Sequence, residues 1–312
     1  MADLYIVALA GGVGGARFAD GLAQVLQPDH LTIIVNTGDD FMHLGLRISP
    51  DLDTVCYTLA GLANPETGWG LSNETWHAFD NLKKMGMPVW FQLGDADLAT
   101  HLVRTVRLNQ GATLSQITQD LCETWEIKVR VLPMSDDIVH TWVYTHEGDL
   151  EFQDYFVRRH AEPEVKGFRF EGVKNSKPAP GVLEAIDKCD AVILCPSNPW
   201  VSIDPILAVP RIKESIVKHP VFAISPIIGG KTVKGPAAKM FSDLGLEPSA
   251  LAVAKHYDHL VDYLWIDNAD EILVSDINTL GIDTYVTDIL MHDRSDRGRL
   301  ASEMLDIIKA IL

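Results

Sequence analysis

The sequence has few cysteines, and none has the spacing of a metal or disulfide framework. Four occur in 312 residues, without any C-x-x-C arrangement, at Cys56, Cys122, Cys189 and Cys195. This pattern argues against a zinc ribbon and against a disulfide-stapled secreted domain, and it suits a reducing cytoplasm. The sequence starts with a strand-like segment and lacks the basic stretch followed by an apolar stretch that is typical of a leader. We therefore expect no export signal.

Long apolar runs and an excess of positive charge are also missing. No run of 18 apolar residues occurs, so we expect no membrane span. The chain has 26 Lys and Arg against 43 Asp and Glu, a net charge of −17. Such a surface repels phosphate backbones and anionic lipids, so we expect neither nucleic acid nor membrane as a partner. An anionic small substrate would need local help from backbone amides, a few Lys or Arg, or a divalent cation.

Short apolar segments alternate with helix-like stretches along much of the chain. The pattern predicts an α/β fold, with a mainly parallel sheet covered by helices on both faces. Ligands of such sheets gather beyond the carboxyl ends of the strands. The predicted strands are residues 5–9, 31–35, 191–194, 221–224, 251–254 and 285–287.

The middle of the chain has a different pattern. "NETWHAFDNLKKMG" and "LSQITQDLCETWEI" predict helices, whereas "DIVHTWVYTHEGDLEFQDYFV" alternates like a hairpin. We interpret approximately residues 60–175 as an inserted lid or subdomain within one domain spanning residues 1–312. "VKNSKPAPG" is the expected return loop.

A glycine-rich turn follows the first predicted strand in "ALAGGVGGARF". It is not a Walker A loop, because no Gly-Lys-Ser/Thr follows, and Arg17 occupies the third glycine position of a dinucleotide fingerprint. A strand, a glycine turn and a helix start present free N–H groups to an anion. A tight turn without a ligand and an ordinary exposed arginine are the alternatives. The candidate phosphate-binding residues are Gly12, Val13, Gly14, Gly15 and Arg17.

Pairs of acidic residues follow several apolar segments, in "VNTGDDF", "SPDLDT" and "LGDADLATH". One such pair is more often a solvated turn or a helix cap. Three pairs favour Mg²⁺, which binds one or two carboxylates together with phosphate oxygens. We predict that at least one pair holds metal, with Asp39, Asp40 and Asp51 as the candidates. A single acid after the second strand would instead fit the ribose of NAD.

Two later loops add polar groups. Ser197 and Asn198, in "CPSNPW", suit a base or a ribose, and Lys231 and Lys234, in "GGKTVKGP", precede a predicted helix in a second possible phosphate cradle. Plain connecting loops are the alternative. Two anion-binding turns facing carboxylates favour a nucleotide diphosphate bridged by Mg²⁺. No G-x-S-x-G elbow or activated cysteine is evident, so phosphoryl transfer fits better than nucleophilic catalysis by the protein.

Taken in order, these motifs carry a family resemblance over essentially the whole chain. "GGVGGARF", "VNTGDDFMHLGLRISPDLDT", "GWGLSNETWH", "WFQLGDADLATHLVRT", "LPMSDD", "PSNPWVSIDPIL" and "SPIIGGKTVKGPA" occur in sequence. The chain resembles the 2-phospho-L-lactate transferase family, and especially its bacterial branch, the phosphoenolpyruvate transferases.

The resemblance implies a Rossmann-like core with a smaller inserted subdomain, usually in a homodimer. It also implies a role in making the deazaflavin coenzyme factor-420. Members join a guanosine-diphosphate-activated three-carbon acid (phosphoenolpyruvyl, phospholactyl or phosphoglyceryl) to 7,8-didemethyl-8-hydroxy-5-deazariboflavin, here called the deazaflavin. Its terminal ribityl hydroxyl attacks phosphorus, GMP leaves, and Mg²⁺ assists.

The resemblance also implies roles for individual residues. Asp39 and Asp40 would act in catalysis with the metal, and Ser197 and Asn198 would bind guanosine. Asp53 would contact the deazaflavin, and we hypothesise that it accepts the ribityl proton. Gln92 and Asp95 would also bind the deazaflavin, although archaeal relatives have a basic residue at the first position. Many relatives have arginine where this chain has Ala96.

Two other functions stay open at this point. One is a non-catalytic, nucleotide-sugar-binding regulator of related fold, against which "SPDLDT" and "LGDADLATH" argue. The other is an NAD-dependent oxidoreductase, which rests only on G-x-G and Asp39 and lacks the third glycine.

Overall fold

The computed structural model describes residues 4–312, whose strands form one large sheet and three small ones. The strands are β1 Ile6–Ala10, β2 Leu31–Val35, β3 Phe41–His43, β4 Leu46–Ile48, β5 Arg130–Pro133, β6 His140–Thr145, β7 Gly148–Glu151, β8 Val165–Glu171, β9 Ala191–Leu194, β10 Val221–Ile224, β11 Ile227–Ile228, β12 Lys231–Thr232, β13 Tyr263–Asp267 and β14 Asp283–Thr287. The helices are α1 Gly12–Val25, α2 Pro50–Leu59, α3 His77–Lys84, α4 Asp95–Asn109, α5 Leu114–Thr124, α6 Val182–Lys188, α7 Asp204–Ala208, α8 Ile212–Ile216, α9 Ala237–Asp243, α10 Ala250–His256, α11 Val274–Asn278 and α12 Arg294–Ile311.

The large sheet has seven parallel strands in the order β14-β13-β10-β9-β1-β2-β5. From β1 the chain builds outward through β2 to β5, and it then returns to the other side of β1 to build β9, β10, β13 and β14. The direction of winding therefore reverses between β1 and β9. In open parallel sheets this switch point, beyond the carboxyl ends of the strands, is the usual place for a ligand.

Successive side chains of the central strands pack into two separate apolar layers. Ile6 and Ala8 face a layer that includes side chains of α1, α2, α5 and α12, whereas Val7 and Leu9 face a layer built with α6 to α11. Because both faces are covered, β1, β9 and β10 are buried along their whole length. This explains their continuous apolar sequences and confirms the predicted α/β class.

Most of the predicted strands are confirmed, and one is wrong. Residues 31–35, 191–194 and 221–224 are strands as predicted, and residues 5–9 and 285–287 overlap β1 and β14. Residues 251–254 lie instead in α10, where Ser249 caps the helix by accepting the N–H of Ala252 at 3.1 Å. A short apolar run does not distinguish a strand from a buried helix. The sequence interpretation also omitted β5 and β13.

The middle region contains the predicted helices and hairpin. α3 and α5 lie within the two predicted helical stretches, and β6 pairs antiparallel with β7, with β8 added on the other side of β6. β5, inside the range 60–175, pairs with β2 in the large sheet. The limits of an inserted subdomain stay a prediction. No helix within residues 4–312 is long and apolar enough to cross a membrane.

Candidate active site

The glycine turn lies at the switch point, between the end of β1 and the start of α1. Gly12 has a left-handed backbone, with φ of 61°, and its N–H donates to Oδ1 of Asp51 at 2.7 Å. A Cβ at Gly14 would overlap the carbonyl oxygen of Pro196, which follows β9. Gly12, Val13 and Gly14 are only half-buried. The first N–H groups of a helix have no partner within it. Since the Gly12 N–H donates to Asp51, the half-buried Val13 and Gly14 supply the N–H groups that the turn offers at the strand ends.

Ser197 and Asn198 connect the loop after β9 to this turn. The Ser197 hydroxyl donates to the Gly11 carbonyl at 2.9 Å and accepts the Gly11 N–H at 3.2 Å. The Asn198 side-chain oxygen accepts the N–H of Trp200 at 3.1 Å, and its amide nitrogen contacts Sδ of Met240 at 3.3 Å. The contacts with Gly11 place Ser197 beside the turn, and Asn198 follows it in the same loop. Guanosine binding by them stays a prediction.

Asp39 lies in the loop after β2 and Asp51 lies in α2, and their side chains are close to each other next to the glycine turn. The amide nitrogen of Asn36 lies between them, 3.2 Å from Oδ1 of Asp39 and 2.9 Å from Oδ2 of Asp51. Gln153 donates to the other oxygen of Asp39 at 2.9 Å. Burial, and then the charge of Asp51, raises the pKa of Asp39 well above its usual range. Burial also raises the pKa of Asp51 to about 6.

This carboxylate pair fits a magnesium ion whose other ligands come from a phosphate. Hydrogen bonds from Asn36, Gln153 and Gly12 stabilise the charged form of these two buried carboxylates, and a cation between them would stabilise it further. Within residues 4–312, no group of three or more His, Cys, Asp or Glu side chains is arranged to hold a metal ion alone. Mg²⁺ is commonly held by one or two carboxylates together with substrate phosphates. The pair has that ligand number and chemistry, and it lies next to the glycine turn.

Asp40 has different surroundings from its neighbour in sequence. Its Oδ2 accepts the hydroxyl of Ser49 at 2.6 Å, whereas its buried Oδ1 has no hydrogen-bond partner in the described part of the chain. Burial raises the pKa of Asp40 to about 7, despite the opposing charge of Arg47. The structure therefore brings Asp39 together with Asp51, while Asp40 bonds to Ser49.

These pKa shifts predict how the metal-free protein responds to pH. Asp40 binds its proton more tightly in the folded protein than in the unfolded chain, so its contribution to stability is lost as pH rises from about 4 towards 7. The loss amounts to about 1.4 kcal/mol for each pKa unit. We expect wild type in EDTA to lose thermal stability relative to Asp40→Asn between pH 5 and 7.5. A constant difference between their melting temperatures would contradict this.

Two cations lie beside the glycine turn. Arg17 donates to the carbonyl of Met291 at 3.1 Å, and Lys234 donates to the carbonyl of Glu66 at 3.2 Å and to that of Thr67. Partial burial, and then the charge of Arg17, lowers the pKa of Lys234, because the two cations are close. Lys231 lies exposed on β12. Its predicted phosphate contact stays untested, and Lys234 is the lysine placed near the turn.

The loop that contains Thr67 borders the glycine turn on one side and an open cleft of about 100 Å³ on the other. Two tryptophans on this cleft, Trp69 and Trp76, are 45% and 38% exposed, which is unusual for such large apolar rings. Gln92, predicted to bind the deazaflavin, lines the cleft. The lining residues are Asn64, Thr67, Trp69, Gly70, Leu71, Glu74, Trp76, Gln92, Gly94 and Asp97.

Asp95 caps a helix. Its oxygens accept the Thr75 hydroxyl at 2.6 Å and the N–H groups of His77 and Ala78, at the start of α3. Glu74 caps α4 in the same way, because its carboxylate accepts the N–H groups of Ala96 and Asp97 at the start of that helix. Asp95 thus fixes the helix that borders the cleft. A direct contact between Asp95 and the deazaflavin stays a prediction.

Asp53 lies in a buried network that reaches the cleft. Arg104 binds both of its oxygens, through Nη1 at 3.0 Å from Oδ2 and through Nη2 to Oδ1. His101 lies between Asp53 and Asp97, with Nδ1 3.6 Å from Oδ2 of the former and Nε2 3.3 Å from Oδ2 of the latter. The Tyr57 hydroxyl donates to Oδ1 of Asp97 at 2.7 Å.

The sequence interpretation missed Tyr57 as part of this network. The available signal was its spacing of four residues from Asp53 on α2, beside the spacing of four between Asp97 and His101 on α4. Residues four apart share a helix face. The network ends at Asp97, which is largely buried and lines the cleft.

Comparison with known proteins agrees with the fold and identifies the family. A crystal structure of a Bacillus halodurans protein, described as a member of the UPF0052 family, has a TM-score of 0.63 at 16% identity and covers 97% of this chain and 99% of its own. At that identity, the likeness shows the fold alone.

Sequence relatives are much more similar. A phosphoenolpyruvate transferase of Kitasatospora aureofaciens is 45% identical over 99% of both chains. A 2-phospho-L-lactate transferase of Methanosarcina mazei is 37% identical, over 95% of this chain and 98% of its own. Residues 6–310 match the family described as 2-phospho-L-lactate transferase CofD. The chain therefore belongs to the CofD family of transferases, as the sequence motifs predicted.

Proposed function

We propose that this protein transfers a guanosine-diphosphate-activated three-carbon acid to the deazaflavin and releases GMP. The observation that carries the proposal is the position of one loop, residues 64–71, which has the glycine turn on one side and the cleft on the other. Gly68 packs towards Val13 of the glycine turn, whereas Thr67, Trp69 and Leu71 line the cleft. An activated phosphate at the turn and an acceptor in the cleft would be neighbours.

The donor's diphosphate fits the glycine turn. The N–H groups at the start of α1 supply donors, and Arg17 and Lys234 supply positive charge in a chain that is otherwise strongly acidic. Asp39 and Asp51 would hold Mg²⁺. When bound there, the ion would neutralise charge on the diphosphate and on the departing GMP.

The acceptor fits the cleft. Trp69 and Trp76 offer aromatic faces to a planar tricyclic ring, and Gln92 offers an amide for its polar edge. The ribityl hydroxyl would attack the phosphorus that carries the three-carbon acid, and the bond from that phosphorus to the GMP oxygen would break. The hydroxyl proton would pass to Asp97 at the cleft and, through His101, on to Asp53, which Arg104 holds in place. Transfer of this kind depends mainly on positioning and charge neutralisation.

A transfer assay tests the proposal. Purified protein would receive the deazaflavin, Mg²⁺ and one of three guanosine-activated acids, and GMP release and product mass would be followed. We expect a product with at least one donor, and none when EDTA replaces Mg²⁺. If no donor gives product while GDP still binds, the protein is instead a nucleotide-binding regulator.

We further propose that the protein works as a cytoplasmic homodimer, as its family resemblance implies. The absence of cysteine pairs with disulfide spacing in the sequence supports a reducing compartment. Light scattering on the purified chain gives its molar mass in solution. A mass near twice the 34.4 kDa of one chain supports the dimer, and a mass near that of one chain contradicts it.

A further inference from the structure

The loop of residues 64–71, here called the shared loop, is closed on itself by hydrogen bonds. The N–H of Ser72 donates to the Leu62 carbonyl at 2.8 Å, and the N–H of Asn64 donates to the Gly70 carbonyl at 3.0 Å. Inside the loop, Oδ1 of Asn64 accepts the N–H of Glu66 at 2.9 Å. Hydrogen bonds at its base and inside it make this a compact loop whose ends lie close together.

The shared loop has one face on the glycine turn. A Cβ built on Gly68 would lie 2.7 Å from Cγ1 of Val13 and 3.2 Å from Nζ of Lys234, so the loop touches both. Its opposite face forms one wall of the cleft and includes the half-exposed ring of Trp69. A shift of the loop away from the turn would therefore narrow the cleft.

Lys234 holds the shared loop against the turn. It comes from the segment between β12 and α9, and its ammonium group donates to the carbonyls of Glu66 and Thr67. In the described part of the chain, Lys234 and its neighbour Arg17 both bind backbone carbonyls and form no ion pair. Both cations are thus available for an anion at the glycine turn.

We propose that Lys234 couples the two substrate sites, an inference that rests on the proposed function. A diphosphate at the glycine turn carries full negative charge, and it binds an ammonium group more strongly than a peptide carbonyl does. Lys234 then leaves the carbonyls of the shared loop, and the nucleotide displaces Gly68 from Val13. The released loop closes over the deazaflavin and brings Trp69 onto its ring. The donor thereby tightens binding of the acceptor, and the acceptor tightens binding of the donor by the same factor.

The test measures deazaflavin affinity by its own fluorescence, with and without saturating GDP and Mg²⁺. GDP lacks the three-carbon acid and does not react. We expect wild type to bind the deazaflavin at least about fivefold tighter when GDP is present. In Lys234→Met, the ratio of deazaflavin affinity with GDP to the affinity without GDP should fall to within about twofold of one. Lys213→Met, which removes an exposed lysine on α8, should keep the wild-type ratio.

A second variant moves the loop without removing a charge. Gly68→Ala places a methyl group against Val13 and Lys234 at a φ of 77°, so it should push the shared loop towards the cleft before any nucleotide binds. We expect this variant to bind the deazaflavin more tightly than wild type when GDP is absent. The gain in deazaflavin affinity on adding GDP should therefore be smaller than in wild type. Calorimetry with GDP checks that this variant still binds nucleotide.

The outcomes separate this inference from the proposed function. A wild-type protein that forms product but shows a ratio near one overturns the coupling and leaves the transferase intact. A wild-type ratio retained in Lys234→Met overturns the role of this residue. A wild-type protein that binds GDP and yields no product from any donor overturns the proposed function itself.

Discussion

Asp39→Asn and Asp51→Asn should each lower kcat/KM for the transfer by about a hundredfold or more, because each removes half of the proposed metal ligand pair. Both carboxylates contact the Asn36 amide, and Asp51 also accepts the Gly12 N–H, so the pair would join the proposed metal position to the glycine turn. Steady-state rates measured over a range of Mg²⁺ concentrations should show a raised metal requirement in both variants.

Asp40→Asn is the matched comparison for this prediction. Asp40 is as deeply buried as Asp39 and adjacent to it, but its side chain bonds to Ser49. We expect it to lose less than about tenfold in kcat/KM and to keep its metal requirement. If Asp40→Asn were the more damaging change, the metal would belong with Asp40, and the pairing of Asp39 with Asp51 would have another purpose. Melting temperatures of the three variants would confirm that each is folded.

The sequence predicted the location of the polar groups better than it predicted which of their side chains are in contact. The strands 31–35, 191–194 and 221–224 were predicted correctly, because fully buried strands have continuous apolar sequences. Their carboxyl ends then placed the acidic and glycine-rich loops at one edge of the sheet. The fold class and the general location of the site follow from this periodicity alone.

The acidic pairs were harder to interpret, because two of them lie in helices. "SPDLDT" starts α2, with Pro50 at the first helical position, and "GDAD" starts α4 after Gly94. Residues two apart on a helix point about 200° apart. Asp51 therefore faces Gly12, whereas Asp53 faces Arg104. A loop would have allowed both carboxylates to bind one ion, but a helix does not.

Long-range partners were beyond any local pattern. Asn36 and Gln153, both donors to Asp39, are separated by more than a hundred residues, and only the packing of β6 and β7 against the loop after β2 brings them together. Lys234 reaches the loop of residues 64–71 in the same way. Proline at the start of a helix was a usable local signal for α2, because its fixed φ suits that position.

Arg104→Met should destabilise the protein by about 3–5 kcal/mol, because it leaves Asp53 buried without its partner. Arg104 is 2% exposed and binds both oxygens of Asp53. Arg107→Met is a matched control on the same helix. Arg107 pairs with Asp120 at the surface, where both side chains are substantially exposed, and such a pair is worth at most about 1 kcal/mol. Urea unfolding of both variants measures the difference, and equal losses would contradict a structural role for the buried pair.

Adding Asp53→Asn to Arg104→Met separates the structural role of Asp53 from its chemical one. The double variant no longer buries an unpaired charge, so it should recover part of the stability that Arg104→Met loses. It should not recover transfer, because the proposed proton acceptor is gone. A double variant restored in both stability and turnover would show that Asp53 serves only to pair with Arg104, and the proton acceptor would then have to be sought at Asp97, the other carboxylate of the network and the one that lines the cleft.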